Sequence, residues 1–172
     1  MKRLFLIALA SLAIAGCSST YQHSDTVALS GKLDPSRGVL VAVPEDGKFE
    51  GDTYANSGQM TADAIRTAFA GNAVRADIAT HCRGESCLSG IDTAKYGYLV
   101  TPSIQHWEER ATEWSGKPDR ITIQVVVFDT ASGKQVSNST YSGKSKWASF
   151  GGDHPQDLLP EPTAAYVTGL YK

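Results

Sequence analysis

The stretch YGYLVTPSIQHWEERATEWSGKPDRITIQVVVFDTASGKQVSNST, residues 96–140, decides the fold. Its opening, Tyr98-Leu99-Val100, is an apolar run that continues as Pro102-Ser103-Ile104-Gln105-His106-Trp107. Ile121 to Phe128 is dense in β-branched residues, which suit a pleated, half-buried surface. Thr112 to Asp119, with Gly116 and Pro118, reads as the hairpin between these two strands. Ser132-Gly133 marks the turn into a polar, alternating third strand. Together they predict a three-stranded antiparallel meander whose first strand receives the upstream chain.

Upstream, Val39 to Val43 is a continuous apolar run stopped by Pro44, as in strands buried on both faces. After the charged loop from Glu45 to Gly51, Asp52 or Thr53 offers an N-cap. Met60, Ala64 and Ala68, with Ile65 and Phe69 beside them, then recur at helical spacing as far as Gly71. Val74, Ala76 and Ile78 alternate with Arg75 and Asp77, which predicts a strand, and Leu88 to Lys95 predicts a short helix. Right-handed crossovers would make the first three of these strands parallel. Near the end, Pro162 suits the first turn of a helix carrying Tyr166, Val167 and Leu170. The expected class is α/β: one domain, a mixed sheet with a parallel βαβαβ part followed by the antiparallel meander, and helices packed on it. This outline is similar to the amino-terminal domain of TolB and to small envelope lipoproteins of the curli-secretion type, a likeness of element order that carries no function.

Residues 1–16 have the build of a signal peptide. Lys2 and Arg3 precede an apolar run from Leu4 to Ile14, too short to remain as a spanning helix. Ile14-Ala15-Gly16-Cys17 resembles the lipobox of bacterial lipoproteins, which implies acylation of Cys17 with chains such as palmitate and cleavage before it. The alternative is an ordinary secretory signal ending beside a chance cysteine. In the sorting pattern of such lipoproteins, Ser18 in place of aspartate implies the outer membrane of a Gram-negative cell, on its periplasmic side. Loss of Lys2 and Arg3 leaves fourteen Lys+Arg against eighteen Asp+Glu, a formal charge of −4. That balance, without a basic cluster, argues against general nucleic-acid binding. Residues 17–37 are polar and read as the lipidated cysteine and a flexible tether with a reach of roughly 25 Å. Within them Val27-Ala28-Leu29 is a candidate edge strand. Residues 38–172 then form the domain.

Cys82 and Cys87 remain as an even pair in an oxidising compartment, which favours a disulfide over free thiols. His81 beside them raises a metal reading through His81, Cys82 and Cys87, although the spacing is not that of a zinc finger and no fourth ligand is evident. Asp153-His154 suggests acid–base chemistry; against it, Asp153 is a natural cap for a helix starting at Pro155. No G-x-S-x-G, H-E-x-x-H, P-loop or G-x-G-x-x-G pattern is present. Glu108, Glu109, Arg110 and Glu113 read as a solvated charged run. Trp114, among Glu113, Lys117 and Arg120 at the hairpin tip, is a candidate partner-binding anchor or else folds back onto the sheet. Trp107, Tyr141, Trp147 and Phe150 are expected in the core or at its rim.

Residues 107–120 (WEERATEWSGKPDR) and 146–159 (KWASFGGDHPQDLL) resemble a family of small proteobacterial lipoproteins with a domain of unknown function. The resemblance spans nearly all of the mature chain and implies a single-domain lipoprotein with no assigned catalytic residue. The preferred functional expectation is a membrane-anchored, non-enzymatic envelope module that binds a protein or glycan, needs no cofactor and is open to homo-oligomerisation. The rival is a periplasmic hydrolase or metal-dependent enzyme using His154 or the His81, Cys82 and Cys87 region.

Overall fold

Along residues 120–129 the side chains of Ile121, Ile123, Val125 and Val127 are fully buried, while Thr122, Gln124 and Val126 between them are half-exposed. That two-residue period orients the whole molecule. The computed structural model describes residues 19–110, 117–146 and 154–172. Its strands are β1 (Thr20–Val27), β2 (Val39–Ala42), β3 (Lys48–Phe49), β4 (Asp52–Thr53), β5 (Ala76–Ala79), β6 (Tyr98–Glu108), β7 (Arg120–Asp129) and β8 (Gln135–Lys144). The helices are α1 (Ser57–Ala70) and α2 (Pro160–Tyr171), with 3-10 turns at Gly84–Leu88 and Pro155–Leu158.

Six strands form one sheet in the order β1-β8-β7-β6-β2-β5. Strand β2 runs parallel to β5 and β6, and β6, β7, β8 and β1 are antiparallel neighbours. The expected α/β domain with a parallel part and a meander is therefore what the structure shows. Helices α1 and α2 cover one face. Ala62, Ile65 and Phe69 of α1 and Val167 and Leu170 of α2 share a core with Val39, Val41, Val100, Trp107, Ile123 and Tyr141. Each such aliphatic or aromatic side chain stabilises the fold by about 1.5–3 kcal/mol on burial. Two buried hydroxyl contacts fix α2 laterally: Tyr141 Oη to Thr163 Oγ1 at 2.7 Å and Ser137 Oγ to Tyr166 Oη at 3.2 Å.

The other face carries a smaller core under one half of the sheet. Ala42, Ala79, Leu99 and Phe128 pack there against Cys87, with Cys82, Leu88 and Ile91 at the edge. The expected Cys82–Cys87 disulfide is present and closes this covering segment.

Several expectations change. The polar segment 17–37 is not a tether over its described length: Thr20–Val27 is an edge strand on β8, and Leu33 is buried with its N–H donated to the Leu170 carbonyl. Strand pairing uses the backbone, so a polar sequence whose partner lies more than a hundred residues away leaves no local signal. The edge strand ends at Val27 rather than spanning Val27 to Leu29. Helix α1 begins at Ser57, not after Asp52 or Thr53, which form β4 instead. Asp46 supplies the cap from the preceding loop, accepting the Gly58 N–H at 2.8 Å and the Asn56 N–H at 3.2 Å. Leu88 to Lys95 is not a helix; the helical turn lies earlier, at Gly84–Leu88. Both Pro160 and Pro162 sit in the first turn of α2, where their missing N–H groups cost nothing.

Candidate functional site

Beyond the disulfide-closed segment, and apart from Phe49 and Arg110 over the Glu108 end of β6, none of the described residues covers the second face of β1, β8, β7 and the outer half of β6. The register sets its side chains in rows. Thr20, Lys144, Arg120 and Glu108 form the first; Gln22, Ser142, Thr122 and His106 the second. Ser24, Thr140, Gln124 and Ser103 form the third. Apart from the first row and His106, these are amide and hydroxyl groups. Several are already ordered. Gln105 Nε2 donates to Ser103 Oγ at 2.8 Å, Ser103 Oγ to Gln124 Oε1 at 3.3 Å, and Gln124 Nε2 to Asn138 Oδ1 at 3.0 Å. A bulge between Ile104 and His106 aims Gln105 onto this face. The chemistry of such a surface is hydrogen bonding to a polar partner, with side chains fixed before it arrives.

At the first row Glu108 departs from expectation. It is buried rather than part of a solvated run, its carboxylate held by His106 Nε2 at 2.9 Å and by Arg110 Nε. Burial opposes its ionisation, but the hydrogen bonds from His106 and Arg110, with the charges of Arg110 and Arg120, outweigh it and hold its pKa below the usual glutamate value. Phe49 caps the group, edge-on to His106 at 4.9 Å and beneath the Arg110 guanidinium at 5.3 Å. Asp119, also buried, accepts the Arg110 N–H at 2.5 Å.

Of the anchor candidates, Lys117 and Arg120 are exposed at the start of β7. Glu113 and Trp114 lie outside the described residues, as do Cys17, Trp147, Phe150 and Asp153. Trp107 and Tyr141 are core residues, as expected. His154 is exposed and pairs with Glu109, Nδ1 to Oε1 at 3.0 Å. His81 is exposed beside the disulfide, which withholds both Cys82 and Cys87 thiolates from a metal. Among the described residues no three His, Cys, Asp or Glu side chains converge as a metal site.

One polar cluster has no precedent in the sequence reading. Asp25 Oδ1 accepts from Ser139 Oγ at 2.5 Å and meets His23 Nε2 at 3.0 Å, with Tyr166 edge-on to His23. The carboxylate, not the imidazole, holds the serine, so the arrangement lacks the base-to-nucleophile contact of a hydrolytic triad. Its signal in the sequence was alternation: His23 and Asp25 share a strand face, but only once 20–27 is known to be a strand.

Among curated proteins, none matches this sequence. Solved structures do match in fold. PelC from Paraburkholderia phytofirmans, a dodecamer, superposes with a TM-score of 0.66 at 12% identity, covering 88% of this chain and 96% of that one. The hypothetical protein CT253 from Chlamydia trachomatis gives 0.51 at 13% identity, covering 78% and 95%. XCC0632 from Xanthomonas campestris, of family model DUF330, gives 0.50 at 14% identity, covering 82% and 90%. No helix among the described residues is long and apolar enough to cross a membrane. The model of the domain of unknown function DUF4823 matches residues 31–170, most of the chain, and this protein belongs to that family.

Proposed function

We propose that this chain is a non-enzymatic binding or assembly module of the bacterial envelope, anchored through acyl chains on Cys17 to the periplasmic face of the outer membrane. The observation that carries the binding role is the bare face of β1, β8, β7 and β6, whose amide and hydroxyl side chains are pre-ordered by hydrogen bonds to one another. A surface of this kind loses little side-chain entropy on association, because its rotamers are already restricted. It suits a protein or glycan partner rich in hydrogen-bonding groups. Partner contact through a second copy of the chain is the specific form favoured by the fold it shares with the dodecameric PelC. Anchoring rests on the lipobox-like Ile14-Ala15-Gly16-Cys17 and on Ser18 after it.

A photo-crosslinking residue in place of Gln124, at the centre of the face, tests the binding role in intact cells. The expected result is a discrete adduct at Gln124 and none at exposed Gln59 on α1. Equal or absent adducts at the two positions would contradict it. The adduct's mass separates a second copy from another partner.

A further inference from the structure

The start of β1 changes what an anchor at Cys17 would do. Only Ser18 and Ser19 separate Cys17 from Thr20, so the first paired residue, three residue steps on, lies within roughly 11 Å of the cysteine even with the chain extended. The twenty-residue tether read from the sequence would have allowed more than twice that distance. An anchored chain therefore carries the Thr20 end of its sheet at the headgroup layer.

The groups at that end are cationic. Lys144 is paired with Thr20 on the neighbouring strand, and Arg120 is paired with Lys144 on the next, roughly 10 Å from Thr20 at ordinary strand spacing. Both side chains are exposed, and neither makes an ion pair among the described residues. The carboxylates nearby are buried and engaged: Glu108, within electrostatic reach of Arg120, is hydrogen-bonded by His106 and Arg110, and Asp119 accepts the Arg110 N–H. Arg120 and Lys144 border a groove of about 500 Å³ with the amides of Gln22 and Gln105 and the hydroxyl of Ser142 on its walls. A guanidinium, an ammonium and neutral donors around one opening match the non-bridging oxygens of a phosphodiester.

We propose that this groove binds the phosphate of an anionic phospholipid headgroup in the leaflet that holds the Cys17 acyl chains. The domain then sits with its Thr20 end against the bilayer, and the rows containing Thr140, Gln124 and Ser103 face away from it toward a partner. The proposal rests on the anchoring reading, and supplies the orientation that acylation alone leaves free.

The test uses the mature acylated chain in phosphatidylcholine vesicles, with or without phosphatidylglycerol. Nitroxide labels are placed at Ser142→Cys in the groove and at Ser132→Cys at the opposite end of the sheet, and their collisions with nickel chelated at the headgroups are measured. Strong collisions at position 142 and weak ones at 132, dependent on phosphatidylglycerol, are expected. The pair Arg120→Gln and Lys144→Gln should lower the ratio of apposed to detached orientations by roughly 30-fold, at about a fivefold factor for each cation. The pair Lys134→Gln and Lys172→Gln should leave it unchanged. Equal collisions at the two labels overturn the orientation, and collisions independent of phosphatidylglycerol overturn the headgroup site. Intact mass tests the anchor separately: a chain without acyl groups on Cys17 refutes both readings, whereas an acylated chain with indifferent labels refutes this one alone.

Discussion

Glu108 shows how one residue's role depends on a fold the sequence conceals. In Trp107-Glu108-Glu109-Arg110 it reads as one member of a charged run, yet its side chain is buried between His106 and Arg110. The run crosses the end of β6, so its members point to different surroundings although they adjoin in sequence. Glu109, one position on, turns instead to exposed His154. The pairing of Glu108 has a consequence for pH. Its folded pKa lies below the unfolded value of about 4.5, so its ionised form stabilises the fold above that value. The contribution is lost as pH falls from there through the lower, folded pKa. Glu108→Gln should therefore lower the melting midpoint near neutral pH and flatten its decline in acid, as followed by circular dichroism. An unchanged acid limb would show that the carboxylate is unimportant. Isolated histidines and cysteines were legible to a lesser degree: Cys82 and Cys87 pair as their count suggested, but the contacts of His23 and Asp25 required the fold.

At the scale of elements, legibility followed burial. Strands β6 and β7 declare themselves because one face of each enters a core and is apolar at every second position. Strand β1 does not, because its sequence is polar on both faces and its hydrogen bonds go to a strand at the other end of the chain. Helix α1 is legible in its spacing, but its start is not, because its cap, Asp46, lies ten residues or more before the N–H groups it accepts rather than adjoining them. Helix α2 depends on polar contacts as well as on packing. Thr163→Val, which is nearly isosteric, leaves the buried Tyr141 hydroxyl without its partner and should cost about 1–3 kcal/mol in urea unfolding. Adding Tyr141→Phe should recover part of that loss, since both polar groups are then gone; a further additive loss would contradict the role of the contact. On the opposite face, the disulfide holds the segment that covers Leu99 and Phe128. Cys82→Ala with Cys87→Ala should reduce stability by about 2 kcal/mol on loop-closure grounds. Reductant should lower the melting midpoint of the natural chain by a similar amount and leave the double variant unaffected.

At the scale of the whole sheet, the described residues treat its two faces differently: helices bury one, and they leave the other half covered and half bare. A polar face of four strands left open in a single domain is an ordinary feature of antiparallel sheets. Its internally bonded amide ladder, its bulge at Gln105 and the short reach from Cys17 are what point to a partner at a membrane. None of these was visible in the sequence, since each depends on register across strands. The claim that this face is occupied in the cell is tested most directly by thiol accessibility. Ser24→Cys lies on the open face and Thr67→Cys on α1, both at exposed positions. In purified protein the two should react with a maleimide at similar rates. In intact cells with a permeable outer membrane, Ser24→Cys should react at least several-fold more slowly while Thr67→Cys is unchanged. Equal reactivity of Ser24→Cys in cells and in solution would contradict the account.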